Sequence, residues 1–347
     1  MSRCFIIFLF MLFSNQLVFA QTFLEKTPEN HETIKSCGGN NLLKTISAQD
    51  KAKLKEKTSA ILNGKGIFWK IEKEGVAPSW LLGTIHATDE RVLNLKAPIK
   101  QHLAKADRVV LELAEIQDKK AMMQASNEIL FKNQELMNFP NGKTFKQEIP
   151  QEFQNEIEAV LKSHGLTTDL LFSMKPWLVY TTIVYPKCEN KRIKAGLPVL
   201  DEEIALLAKN NIIPVHGLET VEEQTISFAT IPDKVQFELI AKSAKTDQSQ
   251  RDIFETMIDT YLDEDIATIL KMNDVFEEYK MSQQAEDIFN EALLNKRNHR
   301  MAERMVPMIN LGNSFFAVGA AHLPDEEGII ELLRQKGFTL TRVELEQ

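Results

Sequence analysis

The amino-acid sequence predicts an α/β fold: a mostly parallel central sheet with helices on its faces, and large helical insertions forming a cap or second lobe. Two patterns carry that expectation. Over residues 66–115, 196–220 and 312–347, short apolar runs alternate with amphipathic stretches, the rhythm of β-α-β units. The zones from about 118 to 195 and from about 221 to 308 instead place Leu, Ile, Phe and Met at three- and four-residue spacings, which marks amphipathic helices.

Residues 1–20, MSRCFIIFLFMLFSNQLVFA, set Arg3 before an apolar stretch and finish on Val18-Phe19-Ala20, the form of a cleaved signal peptide. The apolar run is too short for a comfortable transmembrane helix, which needs roughly 20 apolar residues. Residues 21–347 then read as an α/β domain with the two helical insertions, because no Pro/Gly/Ser-rich linker divides them. The expected strands are IFWKIEK (67–73), SWLLG (79–83), RVVLELA (108–114), IIPVHGL (212–218), SFFAVGA (314–320) and TLTRVEL (339–345), each short and bounded by Gly, Pro or a polar cluster. Continuous apolar character at 109–113 and 314–318 fits strands covered on both faces. Helical periodicity lies between them at 97–106, 201–210 and 325–336, the last stopped by Gly337. TVEE (220–223) reads as a capping box that opens a helix directly after a strand. Met122, Met123, Met257 and Met272 read as core filler.

The 347 residues carry a net charge of -8 with scattered Lys and Arg, which argues against a sequence-independent grip on nucleic acid. The most basic run, KAKLKEK (51–57), reads as a solvated helix face. After signal cleavage two cysteines remain, Cys37 and Cys188, and an even count behind an export signal suggests one disulfide in a periplasmic or secreted protein.

The chemistry concentrates in a repeated element. GTIHATDE (83–90) and GAAHLPDE (319–326) both write Gly-x-x-His-x-x-Asp-Glu directly after an apolar run. With 14 Gly and seven His in the chain, chance supplies roughly 0.3 Gly-x-x-His matches, so two with a shared trailing Asp-Glu stand out. His86 and His322 each fall just past the carboxyl end of an expected strand, where open α/β sheets place ligands. Glu112 interrupts VVLEL near its end and Glu219 follows IIPVHGL, so both carboxylates leave strands at the same edge if those strands are parallel. A carboxylate in such a run is costly unless it is bonded, paired or metal-bound. Mixed imidazole and carboxylate donors, His86, His322 and Glu112, suit Mn, Co, Fe or Zn better than Mg or Ca. Arg297 and Asn298, shortly before the last histidine strand, could steady an oxyanion, while Glu112 or Glu219 could take a proton from water. Arg300 and Arg304, four residues apart, read as a solvated face, and His31, His102, His164 and His299 as ordinary. No zincin, serine-hydrolase or P-loop motif is present in the sequence.

Six segments together resemble the TraB/GumN family, related to the Tiki proteins: PSWLLGTIHATDERV (78–92), ADRVVLELAE (106–115), KPWLV (175–179), GLETVEEQ (217–224), KRN (296–298) and FFAVGAAHLPDEEGIIELLRQKGF (315–338). They run in order across nearly the whole chain beyond the leader. The resemblance implies a metal-dependent hydrolase fold, with Mn- or Co-dependent proteases among the animal Tiki members. Carried over by position, His86 and His322 sit with Glu112 at the metal, lined by Arg297 and Asn298. Two departures stand out. Asp325 occupies a position where the family usually has Gly, and GLPVLDEEI (196–204) is a degraded form of its Gly-hydrophobic-Asp segment. The function expected is an exported metal-dependent hydrolase, a peptidase acting on a peptide or protein, with no nucleic acid and no membrane partner after cleavage. The alternative is a non-catalytic periplasmic binding or regulatory protein on the same scaffold.

Overall fold

The computed structural model describes residues 37–345, so the expected signal peptide and His31 lie outside the described residues. Six strands form one sheet: β1 (Phe68–Lys73), β2 (Val76–Thr84), β3 (Arg108–Leu113), β4 (Val215–Glu219), β5 (Ser314–Gly319) and β6 (Thr339–Arg342). Their order is β4-β3-β5-β2-β1-β6. The pairs β4·β3, β3·β5 and β5·β2 are parallel, whereas β1 runs against both β2 and β6. Parallel neighbours need long crossovers. The crossover from β3 to β4 contains the first helical insertion, and that from β4 to β5 contains the second.

The helices that matter for the site are α1 (Lys187–Lys194), α2 (Leu200–Asn210), α3 (Val221–Ala229), α4 (Asp247–Leu262), α5 (Lys296–Asn310) and α6 (Ile329–Gln335). Alternation along the strands sorts side chains to two cores. Phe68, Leu82, Val109, Leu111, Phe315 and Ala317 face the helical insertions. Their neighbours Trp69, Leu81, Val110, Phe316 and Val318 face α5 and α6, through Met301, Met305, Ile330 and Leu333. All six residues of β5 are buried, which is why its sequence is apolar without alternation.

Several boundaries differ from expectation for physical reasons. β2 begins at Val76 despite Pro78, because its pairing with β5 starts only at Trp80, so the proline lies where the strand has one neighbour. The last helix starts at Ile329, not 325. Asp325 has φ +79°, and a Cβ at Gly328 would stand 2.1 Å from the Pro324 carbonyl oxygen, so this stretch is a tight turn. Met122, Met257 and Met272 are core residues, but Met123 is exposed. The basic run lies in a helix, Ala48–Ser59, whose one buried residue is Leu54. Cys37 and Cys188 are joined by a disulfide with Cα atoms 5.6 Å apart, tying the described start of the chain to α1. No helix of the described residues is long and apolar enough to cross a membrane.

Candidate functional site

The two histidine turns leave adjacent strands at one rim. β2 and β5 pair with Gly83 opposite Val318 and Thr84 opposite Gly319. The turns also pack on each other: a Cβ at Gly83 would meet Leu323 at 2.7 Å and Ala320 at 3.0 Å, so only glycine permits this approach. Glu112 near the end of β3 and Glu219 at the end of β4 complete the row along the carboxyl edge. The six residues singled out in the sequence, His86, Glu112, Glu219, Arg297, Asn298 and His322, are all 4% exposed or less.

The acidic half of the site is a network around Arg297. Glu112 Oε1 accepts the Gly319 backbone N–H at 2.7 Å, and its Oε2 accepts Arg297 Nη2 at 2.8 Å and Gln224 Nε2 at 3.1 Å. Arg297 Nε donates to Glu219 Oε2 at 2.9 Å, its Nη2 also reaches Glu219, and Gln224 bridges to the same carboxylate at 3.2 Å. Arg300 closes on Glu219 Oε1 from Nε at 3.1 Å. The expectation of a solvated face for Arg300 is therefore wrong. The rotation of α5 turns it to the end of β4, while Arg304 follows with Glu223 and the Leu218 carbonyl. A π-helical turn, Glu291–Asn295, runs directly into α5, and Arg297 Nη1 donates to the Leu293 carbonyl within it at 3.3 Å. Such turns re-aim the residues that follow them.

The two carboxylates differ electrostatically. Burial pushes the Glu112 carboxyl up, and the pull of Arg297 does not fully offset it. Burial also acts on Glu219, but Arg297 and then Arg300 outweigh it and hold that carboxyl below the usual range. Glu219 is the fixed anion of the pair, and Glu112 is the group that takes a proton more readily.

The imidazoles are oriented from outside. Asn298 Nδ2 donates to the Glu327 carbonyl at 2.7 Å, which turns its Oδ1 to His322 Nδ1 at 2.5 Å. An amide oxygen only accepts, so Nδ1 carries the proton and Nε2 the lone pair. Burial, then the Arg297 and His86 charges, lower the His322 pKa well below its ordinary value, so the ring is neutral. Its Nε2 stands 3.8 Å from Glu112 Oε1 and 3.4 Å from Arg297 Nη1. His86 Nδ1 meets Asp201 Oδ2 at 2.9 Å, and Thr84 Oγ1 donates to the other Asp201 oxygen at 3.0 Å. Burial alone would lower the His86 pKa, but Asp201 and then Glu112 lift it above the ordinary value.

Further residues hold the first turn. Tyr261 donates from the second insertion to the Gly83 carbonyl at 2.8 Å, and Tyr185 from the first to the His86 carbonyl at 3.1 Å. Glu189 and Arg192 of α1 grip Thr88: Glu189 accepts its N–H at 2.6 Å, and Arg192 Nη2 donates to its carbonyl at 2.6 Å. Asp201, Gln224, Tyr185 and Tyr261 were not singled out in the sequence. Asp201 sat in the family's Gly-hydrophobic-Asp segment and Gln224 ended GLETVEEQ, so both had a signal; the tyrosines had none. Of the ordinary histidines, His102 stacks on Trp80, His164 bonds Val160 and Gln250, and His299 pairs with Glu327 at the surface.

Among the described residues no group of three or more His, Cys, Asp or Glu side chains stands in metal-holding geometry. The donor chemistry nonetheless fits a borderline divalent ion. Both imidazoles have Nδ1 held by an oxygen partner, the outer arrangement that fixes the tautomer of a ligating histidine. Glu112 and Glu219 are bonded by the guanidiniums of Arg297 and Arg300, and Asp201 meets His86, so three carboxylates converge on the two imidazoles and the two arginines.

The chain is similar to the metalloprotease TIKI homolog of Nematostella vectensis, 25% identical over 333 residues covering 82% of this chain and 68% of the relative. Metalloprotease TIKI1 of Danio rerio is 24% identical and metalloprotease TIKI2 of Xenopus tropicalis 23%, each aligned with 78% of this chain. The chain spans 61% and 58% of those two relatives' lengths. No solved structure matches it significantly. The model of the TraB/PrgY/gumN family matches residues 67–342, a span that holds the whole sheet and both histidine turns, and the chain accordingly belongs to that family.

Proposed function

We propose that the protein is an exported metal-dependent hydrolase that cleaves peptide bonds, with His86, His322 and Glu112 holding a divalent ion, Mn or Co ahead of Zn or Fe. The observation that carries the reading is the pair of imidazoles, each with Nδ1 at an oxygen partner, on turns that leave adjacent strands, with the buried Glu112 carboxylate beside His322. The metalloprotease relatives support the reaction class. The Cys37–Cys188 disulfide and the leader-like first twenty residues support export to the periplasm or beyond. When bound, such an ion polarises a scissile carbonyl and acidifies water.

The chain's own groups divide the remaining work. Asp201 and Asn298 fix the two rings, each through Nδ1. Glu112 is held by the Gly319 backbone N–H and by Arg297, which fixes the carboxylate beside His322 where it would help to hold the ion. Glu219 stays ionised and fixes the Arg297 guanidinium, which in turn fixes Glu112 Oε2. A basic group facing the reacting carbonyl comes from Arg297 only if its bonds to the two carboxylates rearrange.

The test is cleavage of unstructured peptides by the purified chain with Mn or Co added. Activity should be lost in His86→Ala and His322→Ala; equal activity in both variants and the parent would sink the proposal. One observation favours the alternative, a non-catalytic binding or regulatory protein: His322 is 0% exposed and Arg297 Nη1 already contacts its Nε2. Product formation over many turnovers excludes that alternative.

A further inference from the structure

The neutral imidazole of His322 has one lone pair to offer, and Arg297 stands against it. Asn298 Oδ1 accepts the proton on Nδ1, so the lone pair lies at Nε2, and a guanidinium carries only donors. Arg297 Nη1 is 3.4 Å from that nitrogen. A ligating histidine spends the same lone pair on its metal. An ion on His322 and the guanidinium on His322 are therefore alternatives.

Glu112 repeats the pattern. Its Oε1, 3.8 Å from His322 Nε2, accepts the Gly319 N–H, while its Oε2 accepts Arg297 Nη2 at 2.8 Å. One arm of the fork thus covers the imidazole and the other covers the carboxylate, two of the groups proposed for the ion. The arginine that does so is itself sealed from solvent, at 1% exposure.

The contacts of Arg297 are graded so that one side opens first. Nη1 makes long bonds, 3.4 Å to His322 and 3.3 Å to the Leu293 carbonyl, beyond the usual N–H range. On the other side Nε holds Glu219 Oε2 at 2.9 Å, and Nη2 reaches the same carboxylate. Arg300 Nε also grips Glu219, at 3.1 Å, so that carboxylate keeps a second cation if Arg297 turns. The guanidinium can release His322 while it stays anchored on Glu219.

We propose that Arg297 is a tethered competitor for the ion: its Nη1 arm covers the His322 lone pair, and a divalent ion binds there only when that arm lets go. The inference rests on the metal reading of the site and gives Arg297 a second role within it. The arm that leaves His322 is the one set free to meet a substrate oxygen, so ion loading and the release of the arginine are one event.

Co(II) alone is titrated by calorimetry into the full chain and into Arg297→Lys. Lysine keeps a positive charge near Glu219 but carries a single ammonium in place of the fork, so a gain in affinity reports the lost arm and not a change in net charge. Arg297→Lys should bind Co(II) about tenfold more tightly than the parent, the effect of removing one weak competing bond. An arginine that served structure alone would leave the affinity unchanged or, by loosening Glu112, lower it. Either result overturns the competitor and leaves the metal reading standing. Failure of Co(II) to bind both chains removes the metal reading and the inference with it. If Arg297→Lys does not fold, a crystal of the parent with Co(II) decides: Nη1 is expected beyond hydrogen-bond reach of His322 Nε2. An ion on Nε2 with the 3.4 Å contact intact overturns the competitor, and no ion at His322 removes both.

Discussion

Asp201 and His86 lie in elements separated by more than a hundred residues, yet Asp201 Oδ2 meets His86 Nδ1 at 2.9 Å, and both are nearly sealed from solvent. The contact fixes which ring nitrogen is turned inward. Outer partners of ligating histidines typically affect metal affinity by about 10–100-fold. Asp201→Asn should therefore weaken Co(II) or Mn(II) binding by roughly that factor while far-UV circular dichroism stays the same. Calorimetric titration checks it, and unchanged affinity would separate Asp201 from the site.

Arg297 is the cation between two buried carboxylates, and removing it takes the guanidinium from Glu112 and leaves Glu219 to Arg300. Truncating one partner of a buried ion pair commonly costs about 3–5 kcal/mol. Arg297→Ala should fall in that range in urea unfolding. Arg300→Ala, at a side chain 27% exposed, should cost nearer 1 kcal/mol. The order of the two matters more than either value, and a reversed order would contradict the network described.

Tyr185 and Tyr261 reach the same turn from different insertions. Each phenylalanine replacement leaves a buried carbonyl without its donor, at about 1 kcal/mol or somewhat more. Thermal melts of Tyr185→Phe and Tyr261→Phe should show it. If neither shifts, the insertions do not brace the turn.

The Cys37–Cys188 link closes a separation of 151 residues, and in the chain-entropy model such a closure contributes on the order of 5 kcal/mol. Cys37→Ser with Cys188→Ser should lower Tm by roughly 10 °C or more. The loss should extend to the His86 turn, because Cys188 heads the helix whose Glu189 and Arg192 hold Thr88. Faster amide exchange at 85–89 is the expected signature.

Asp325 holds φ +79°, a conformation that glycine adopts freely, and its carboxylate accepts the Glu326 N–H at 2.7 Å. Asp325→Ala should lose that bond and keep the strain, costing about 1 kcal/mol, whereas Asp325→Gly should be neutral or slightly stabilising. Equal melts for Ala and Gly would show that the backbone conformation is not what the position selects.

Strand positions, both histidines and both strand-end carboxylates were legible because each depends on local pattern: an apolar run, its length and the residue that ends it. Arg300 was not. Its spacing from Arg304 is that of a solvated helix face, and only the crossing of α5 over the end of β4 brings it to Glu219, 81 residues away in sequence. In the sequence Asp201 belongs to a helix start, as it does in the structure; that the same helix start abuts the β2 turn is a tertiary fact. Tyr185 and Tyr261 sit among apolar residues as core aromatics do, and only a hydroxyl meeting a backbone carbonyl distinguishes them. Residues that act through bonds to distant backbone leave little trace in local periodicity.

In the proposed function His86, Glu112 and His322 share one divalent ion. The most direct measurement is an anomalous difference map from a crystal of the chain grown with Co(II) or Mn(II). A single strong peak is expected about 2.1 Å from an imidazole nitrogen of both His86 and His322, with a Glu112 oxygen at similar distance. A peak elsewhere, or none at saturating metal, would contradict it.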